Sequence, residues 1–538
     1  MLTLSRRPLP ASDRASLRTK SRNACGVCLP GTDPATDDDC PDTCGNGDVE
    51  PWETCDTAAV GAGACPSAAD CDDDDSCTAD LLADDGTCLA ECNNDDITEP
   101  TPGDGCCPAG ADSVTDSDCD PIPQCEAADV LIDNASDPTM ALVAATDHED
   151  ALWSLWTTSG GIFNDVRAAR LNPATGQWSP DVGVQATSDD LEGLAAATDH
   201  AGALWSVWAQ NGGIADAVRG ARLDPGGSTW EADVSIGTTF DHARDPVAIA
   251  DHAGALWALW VEDGDTVDDV RGARLDPASS TWQPDVVVGT TFDDAVHLCA
   301  APDDQGRLWA SWVEAGGIVE DVRAARLDPA TLEWEPTIAL GTSFDVIDAL
   351  ALAPDDDDAL WAVWIVNGGV ATDIRGARFD PATQSWQADV AVGAEFDPAD
   401  NLLLAHDHVG ALWAFWVVNG GIADDVRGAR LDPATEQWGP AMVVGTTFDD
   451  ATSLAAGHGD EGALWVLWGD TGSFDGVRAT RLDPESGTWA AGISVENAFN
   501  PVYEVAAASD TDGSLWALWM EEGGFGGSSV RGTTCVFQ

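Results

Sequence analysis

The sequence predicts an all-β fold: a closed ring of eight four-stranded units behind an irregular, disulfide-rich N-terminal module. Three observations predict it. A Leu-Trp-x-φ-Trp segment returns at Trp153, Trp205, Trp257, Trp309, Trp361, Trp413, Trp465 and Trp516, spaced by 52 residues and by 51 at the last step. Each unit divides into four short β-rich segments separated by turn signals. Of the 16 cysteines, 13 fall between Cys25 and Cys119. A fixed period of this length marks one supersecondary unit copied in tandem, each copy too small to bury its apolar face alone.

Charge narrows the partners. The 538 residues carry Lys+Arg 23 against Asp+Glu 95. Six of the basic residues precede Asn23 beside a single acid, Asp13, which leaves 17 basic against 94 acidic side chains in the rest of the chain. Such a surface repels itself and needs screening or bound cations. It excludes nucleic acid and anionic membrane as partners. Two readings account for the acidity: adaptation to a salty or calcium-rich medium, and a base composition that favours Asp, Gly, Ala and Arg codons. No run is long and apolar enough to span a bilayer, so membrane insertion is not expected.

In chain order, residues 1–24 form a basic segment without periodicity, expected to be disordered. It has no apolar run of the secretory kind, and the Cys-rich part begins mid-module at Cys25, so the true start is expected to lie upstream. Residues 25–124 are rich in Asp, Gly and Cys and poor in aliphatics, so disulfides must stand in for a core. That many cysteines in a loop-rich segment points to a secreted or cell-surface location. The segment Cys44-Gly-Asn-Gly-Asp-Val-Glu-Pro-Trp-Glu-Thr-Cys-Asp56 resembles the cysteine-rich repeat of bacterial secreted and surface proteins whose signature runs CGNGxxExxExCD. Cys71-(Asp)4-Ser-Cys77 and Gly105-Cys-Cys-Pro-Ala-Gly110 also look like that module, although Trp52 and Ala111 depart from it. The resemblance implies an extracellular stalk or spacer. Thirteen cysteines is an odd number, so pairing within the head does not close. Cys25-Gly-Val-Cys28 has the spacing of half a zinc site, but the other half is missing, since no histidine precedes His148.

Residues 125–538 are the repeat. In the copy 401–450 the strands read as Asn401 to Ala405 (A), Ala411 to Val418 (B), Val426 to Leu431 (C) and Trp438 to Val444 (D), with Gly, Asp-Pro and Asp-x-x-Gly turns between them and no room for a helix. Four antiparallel strands per unit make the blade of a β-propeller. Strands B and C occur eight times, but strand D follows C only seven times. The eighth is Asp129-Val-Leu-Ile132, two periods before Asp233-Val-Ser-Ile236, so an N-terminal strand completes the C-terminal blade and leaves no open edge. The prediction is therefore an eight-bladed β-propeller. The body resembles Trp-rich propeller repeats of bacterial secreted proteins and, more loosely, the sensor propellers of two-component regulators and sialidase Asp-boxes.

Several residue sets were candidates for chemistry. Paired arginines recur in strand C (Arg167/Arg170, Arg219/Arg222 and onward to Arg478/Arg481), and with the tryptophans they could hold sugars as in fucose-binding propeller lectins. The simpler reading has them pair with the Asp of the following Asp-Pro turn, or stack on Trp, purely to hold blades together. Asp-His dipeptides at Asp147, Asp199, Asp251 and Asp407 read as turn residues rather than a metal ring. A sialidase-type site needs a tyrosine, and the chain's one tyrosine, Tyr503, falls within a strand A. The D–A and B–C loops share one face and hold Asp268, Asp269, Asp293, Asp294, Glu320, Asp321, Asp424, Asp425, Asp449 and Asp450. Oxygen-only clusters of this kind suit calcium. Cys125 aligns by period with Gln437, and Cys535 with Leu431, which makes them cross-strand neighbours within disulfide reach; Cys299 is then the buried free thiol of the body. The expected function is that of an extracellular, monomeric, non-enzymatic binding or scaffold protein for calcium, a surface glycan or a protein ligand. The alternative is a glycan-processing enzyme.

Overall fold

The computed structural model describes the residues between Gly45 and Phe537 except 46, 50–52, 74–76, 99–100, 102–105, 107–122, 126–128, 136, 161–162, 213–215, 226–228, 240, 265–266, 304, 317, 369–370, 421–422, 448–449, 473–474, 485, 497–499 and 523–526. The expectations for the basic N-terminal segment, the Cys25/Cys28 pair, Trp52, Ala111 and Asp449 lie outside the described residues. The chain divides into two compact units, residues 1–122 with 538 and residues 123–537.

The first unit carries a hairpin of Thr78–Ala83 and Glu91–Asp96 and the disulfides Cys55–Cys65, Cys71–Cys92 and Cys77–Cys106. Its organising side chain is Asp56, fully buried. The carboxylate accepts the backbone N–H groups of Gly45, Gly47, Ala58 and Ala59 at 2.7 to 3.0 Å. Gly45 and Gly47 both stand at positive φ, 89° and 95°, where glycine is the residue that fits without strain. That geometry explains why Gly-x-Gly and a distant Asp occur together in this segment.

The second unit is an eight-bladed β-propeller. In blade 6 the strands are Ala399–His406 (A), Leu412–Val418 (B), Asp424–Asp432 (C), and Gln437–Trp438 with Met442–Thr447 (D). They hydrogen-bond in the order A, B, C, D. Strand A of every blade abuts strand A of the next, blade 8 to blade 1 included, so the A strands form the inner wall of a closed ring. Strand D was expected as one run. It is two, because the four residues from Trp438 to Met442 span only the three from Leu431 to Gly428 on strand C. A further bulge follows at Val426/Arg427.

Strand B is apolar throughout and wholly buried, as a strand covered on both faces must be. Its two tryptophans face opposite neighbours. The first meets the strand-D tryptophan of the following blade edge-on, as in Trp361–Trp438 at 5.4 Å and 83°, a geometry that aromatic quadrupoles favour. Seven such pairs run round the described ring, and Trp516–Trp178 carries the contact from blade 8 to blade 1. The second tryptophan lies on a glycine of the preceding blade's strand D: a Cβ added to Gly445 would stand 2.4 Å from the Trp468 ring. Glycine recurs there in five blades, where an added side chain would run into the indole, while Gln185, Glu496 and Asp133 take the place in blades 1, 7 and 8.

Blade 8 is built from Val502–Ser509, Leu515–Glu522 and Ser528–Phe537, closed by Pro123–Cys125 and Val130–Ala135 from the other end of the domain. Cys125 and Cys535 face each other across this seam and are joined by a disulfide. Cys535 pairs as Leu431 does. Cys125 therefore occupies the slot of Trp438 rather than that of Gln437, one residue from the place that the period assigns it. The difference arises because five residues, not four, separate Cys125 from Val130. The disulfide thus stands where the eighth Trp–Trp contact would be, packed in one cluster with Trp465. Cys299 is a free cysteine, half-buried, its thiol 3.7 Å from the Ser311 carbonyl.

The Cys125–Cys535 bond closes a sequence separation of 410 residues, and the chain-entropy model values a loop of that size at about 4 to 5 kcal/mol. The C125S/C535S variant should unfold at a lower denaturant midpoint by that equivalent. Non-reducing peptide mapping of the native chain should recover the two cysteines linked, and a free Cys535 would overturn the closure.

Candidate functional site

Antiparallel blades send their A–B and C–D turns to one end of the ring and their D–A and B–C loops to the other. The first end is fixed by side-chain hydrogen bonds. In blade 6 the Asp407 carboxylate accepts the N–H groups of Val409 and Ala411, the Trp413 indole N–H at 3.2 Å and the Arg430 Nε–H at 2.8 Å. Blades 1, 2, 3 and 5 repeat the arrangement at Asp147, Asp199, Asp251 and Asp355. Burial pushes the Asp407 carboxyl up, but the bonds from Arg430 and Trp413 outweigh it and hold the group below its usual value.

This corrects one expectation. In blades 1, 2, 3, 5 and 6 the second arginine of the pair reaches the Asp of the A–B turn, not the Asp of the following Asp-Pro turn. Asp432 is already occupied by the N–H groups of Ala434 and Thr435. As Arg531 does with Asp129, the first arginine of blades 1, 2, 3 and 5 pairs with the acid just before strand D, for example Arg271–Asp285 at 2.5 Å. In these blades both arginines are engaged within the scaffold.

The opposite end carries the acids expected to bind calcium. Asp268, Glu320 and Asp424 begin their strands C and accept the N–H of Ala295, Ile347 and Ala451 on strand A of the next blade, at 2.9, 2.6 and 3.0 Å. Asn211 and Asn367 do the same for Ala243 and Ala399. Burial raises the pKa of Asp268 and Asp424, partly offset by those N–H bonds. Asp269, Asp321 and Asp425 accept the hydroxyls of Thr290, Thr342 and Thr446 across the C–D pair, at 2.5, 2.6 and 2.8 Å. Asp293, Asp294 and Asp450 are exposed. The structure does not bring three of these acids together: among the described residues the one group with three ligand atoms within 4.8 Å is Glu53, Asp56 and Cys88, and Cys88 is disulfide-bonded.

Two features of this face were not anticipated. Phe292, Phe344 and Phe396, one at each of three successive D–A loops, are 82, 81 and 92% exposed. The sequence places phenylalanine at the same point in Phe240, Phe448 and Phe499. Ile318 and Phe163 of the B–C loops are also exposed. The signal was the recurring Gly-Thr-Thr-Phe-Asp, a large apolar residue kept in a loop where blade packing has no use for it.

The second feature is the channel wall. Each strand A breaks register near its start, by a bulge at Glu192/Leu194, Arg244/Val247 and Val296/Cys299, for example. The residues at this point differ from blade to blade: Ala141, Gly193, Asp245, His297, Ala349, Asn401, Ser453 and Glu504. The next position is uniformly apolar, from Leu142 to Val505. Within the channel a cavity of about 620 Å³ is lined by Met140, Gly193, Asp245, His297 and Glu504 among others. His297 is open to the lumen yet enclosed by protein, so burial lowers its pKa against the opposing pull of Asp245, Asp348 and Glu320. Tyr503, exposed, donates to Glu522 at 2.8 Å.

No family model and no curated protein matches this chain. Among solved structures it is similar to the polysaccharide lyase Uly1 at 11% identity and a TM-score of 0.42, over 76% of this chain and 90% of that one. For an ulvan lyase of family PL25 bound to -[GlcA(1-4)Rha3S]- the values are 12% and 0.43, over 68% and 97%. For a leech intramolecular trans-sialidase they are 9% and 0.36, over 72% and 83%. Similarity at this level carries nothing about activity, and the fold rests on the strand topology itself.

Glu504 supplies a pH test. Burial, set against one bond from the Leu142 N–H at 3.0 Å, pushes its carboxyl from 4.5 up to about 7. A carboxyl raised on folding contributes stability that is complete below pH 4.5 and lost as pH rises through about 7. Relative to Glu504→Gln, which keeps the acceptor, the native chain should lose up to about 3 kcal/mol across that interval. Denaturant midpoints of the two proteins between those pH values would check it.

Proposed function

We propose that the protein is an extracellular, monomeric, non-enzymatic binding propeller of the bacterial secreted or surface type, whose D–A/B–C face takes a neutral or cationic glycan. The observation that carries the reading is the set of phenylalanines displayed there, Phe292, Phe344 and Phe396, each beside carboxylates. Aromatic side chains exposed to this degree in a repeating arc mark a contact surface. Their rings suit the C–H faces of sugars, and the neighbouring carboxylates accept hydroxyl hydrogen bonds. The chain's formal charge of −72 turns away anionic polymers. Its disulfides suit an oxidising compartment, and among the described residues no helix is long and apolar enough to cross a membrane.

Calcium belongs to the proposal as ions held separately on the exposed rim, at Asp293 and Asp294 in one D–A loop and at Asp450 in another, since the other described acids of the set are already hydrogen-bonded. The glycan-processing reading draws on one observation, that His297 and Glu504 line a single cavity.

A glycan array probed with and without calcium tests the proposal. Neutral or amino-sugar glycans should be retained, and F292A/F344A/F396A should weaken retention at least about tenfold, a loss near 1.4 kcal/mol. Unchanged retention by the triple variant, or a preference for sulfated or uronic glycans, would overturn the proposed face. Released fragments in the eluate would favour the enzyme. Calcium should raise the melting temperature beyond sodium of equal ionic strength; equal shifts would mean that the rim acids are only screened.

A further inference from the structure

The channel cavity is built differently from the loop face. Five neighbouring blades line it, from blade 8 through blade 4. At the variable position of strand A the two middle blades of this arc present Ala141 and Gly193, while Glu504 stands before them and Asp245 and His297 after. Ala141 leaves a notch in the wall between the carboxylates on either side, and at Gly193 the ring of Pro246 stands where a side chain would. Gly193 cannot become larger: it stands at φ 64°, and an added Cβ would lie 2.4 Å from Cδ of Pro246. Leu142, Leu194, Pro246 and Leu298 give the notch an apolar back.

We propose that this chamber binds a small organic ammonium ion, a primary amine on a short carbon chain, between Glu504 and Asp245. The volume, about 620 Å³, falls within the range of small-molecule pockets, about 300 to 1,000 Å³. Charge selects the sign of the ligand. Arg244 is the cation beside the chamber, and it is divided among Asp245 at 3.3 Å, Asp268 at 3.1 Å and Asp263 at 3.6 Å. One guanidinium against those three carboxylates and Glu504 leaves the chamber negative. A bare metal ion would want several oxygens within a common bonding radius, and these residues form no such group. An alkylammonium instead satisfies well-separated acceptors with its N–H donors and lays its carbons on Met140, Val143 and Leu194, which line the chamber and keep accessible surface. His297, held neutral by its burial, offers a further acceptor. The site is independent of the glycan reading, since it uses none of the loop phenylalanines.

The experiment is calorimetric titration of the full chain with putrescine and butylamine, and with 1-butanol as the uncharged control, at about pH 8, where Glu504 is ionised. Saturable binding of the amines at one site per chain, absent for 1-butanol, is expected. E504Q and D245N should each weaken it about tenfold or more, and A141L, which fills the notch, should abolish it. D356N/D357N, which removes two exposed charges from the opposite end, should leave it within about twofold. All variants are to be compared at matched melting temperature, and E504Q keeps the Leu142 bond as a folding control. No saturable binding, a loss in D356N/D357N equal to that in E504Q, or full binding by A141L would each overturn the proposal.

Discussion

The carboxylate of the A–B turn is the group on which the ring depends. In Asp147, Asp199, Asp251, Asp355 and Asp407 one oxygen holds the turn through two backbone N–H groups, and the other holds an indole of strand B and a guanidinium of strand C. These are charge-assisted bonds in a site shielded from water, where they are strongest and where an orphaned partner costs about 3 to 5 kcal/mol. By fixing the indole of Trp413 or Trp361, the carboxylate sets the ring that the next blade's tryptophan meets edge-on. A bond inside one blade therefore determines how two blades stack. The three departing blades show what it tolerates. Blade 4 supplies Arg307 from the turn itself and sends Arg326 to Glu335. Blade 7 has Gly459 in the Asp position, against the Trp465 indole. In blade 8, Asp510 still holds Trp516, but Thr534 stands where the arginine would be.

The parts of the fold legible in the sequence are those where sterics leave one choice. Trp, Gly and Asp recur at fixed places because an edge-on indole, a glycine beneath another indole and a turn-closing carboxylate are each set by close packing or hydrogen bonds, and the departures are few enough for the eight blades and the borrowed strand to be counted. What could not be read was competition between equivalent partners. Arg430 has Asp432 two residues away and Asp407 twenty-three away, and only the structure reveals that Asp432 is spent on its own turn. Cys125 was placed by arithmetic in the slot of Gln437, and the extra residue before Val130 moves it into that of a tryptophan. Its partner was legible because the other cross-strand neighbour of Cys535 is Leu515, which leaves Cys125 as the cysteine in reach whichever of the two slots was filled.

The candidate site was less legible for a related reason. Acidic pairs in loops look alike whether they hold a cation or a backbone N–H. Asp268, Glu320 and Asp424 do the second: strand A of the following blade begins with an N–H that its own sheet leaves free, and a carboxylate or an asparagine from the neighbouring blade takes it. The phenylalanines carried a better signal. A loop residue with no packing role is ordinarily small or polar, so an apolar one repeated in the sequence at six loops is a signal, and the three that are described, Phe292, Phe344 and Phe396, are exposed.

Variation between the repeats is confined by the same physics that fixes the rest. At the A–B end the turn carboxylate, the indole and the guanidinium claim one another in five blades, and a change in that triad loosens two blades at once. At the other end each strand A enters the ring through a bulge, which releases two residues from the ladder and bends the strand. The bulge position varies from blade to blade, as Gly193, Asp245, His297 or Glu504, although some of its residues are tied to the next blade, as Ser453 is by the N–H of Val505. The eightfold repeat thus builds a ring with a variable inner rim, and a rim of that kind lets a symmetric scaffold hold an asymmetric pocket. Glu504 shows the limit of that freedom. It borrows the N–H of Leu142 from blade 1, so the one inner acid held near neutrality also ties the last blade to the first, close to the seam that Cys125 and Cys535 close.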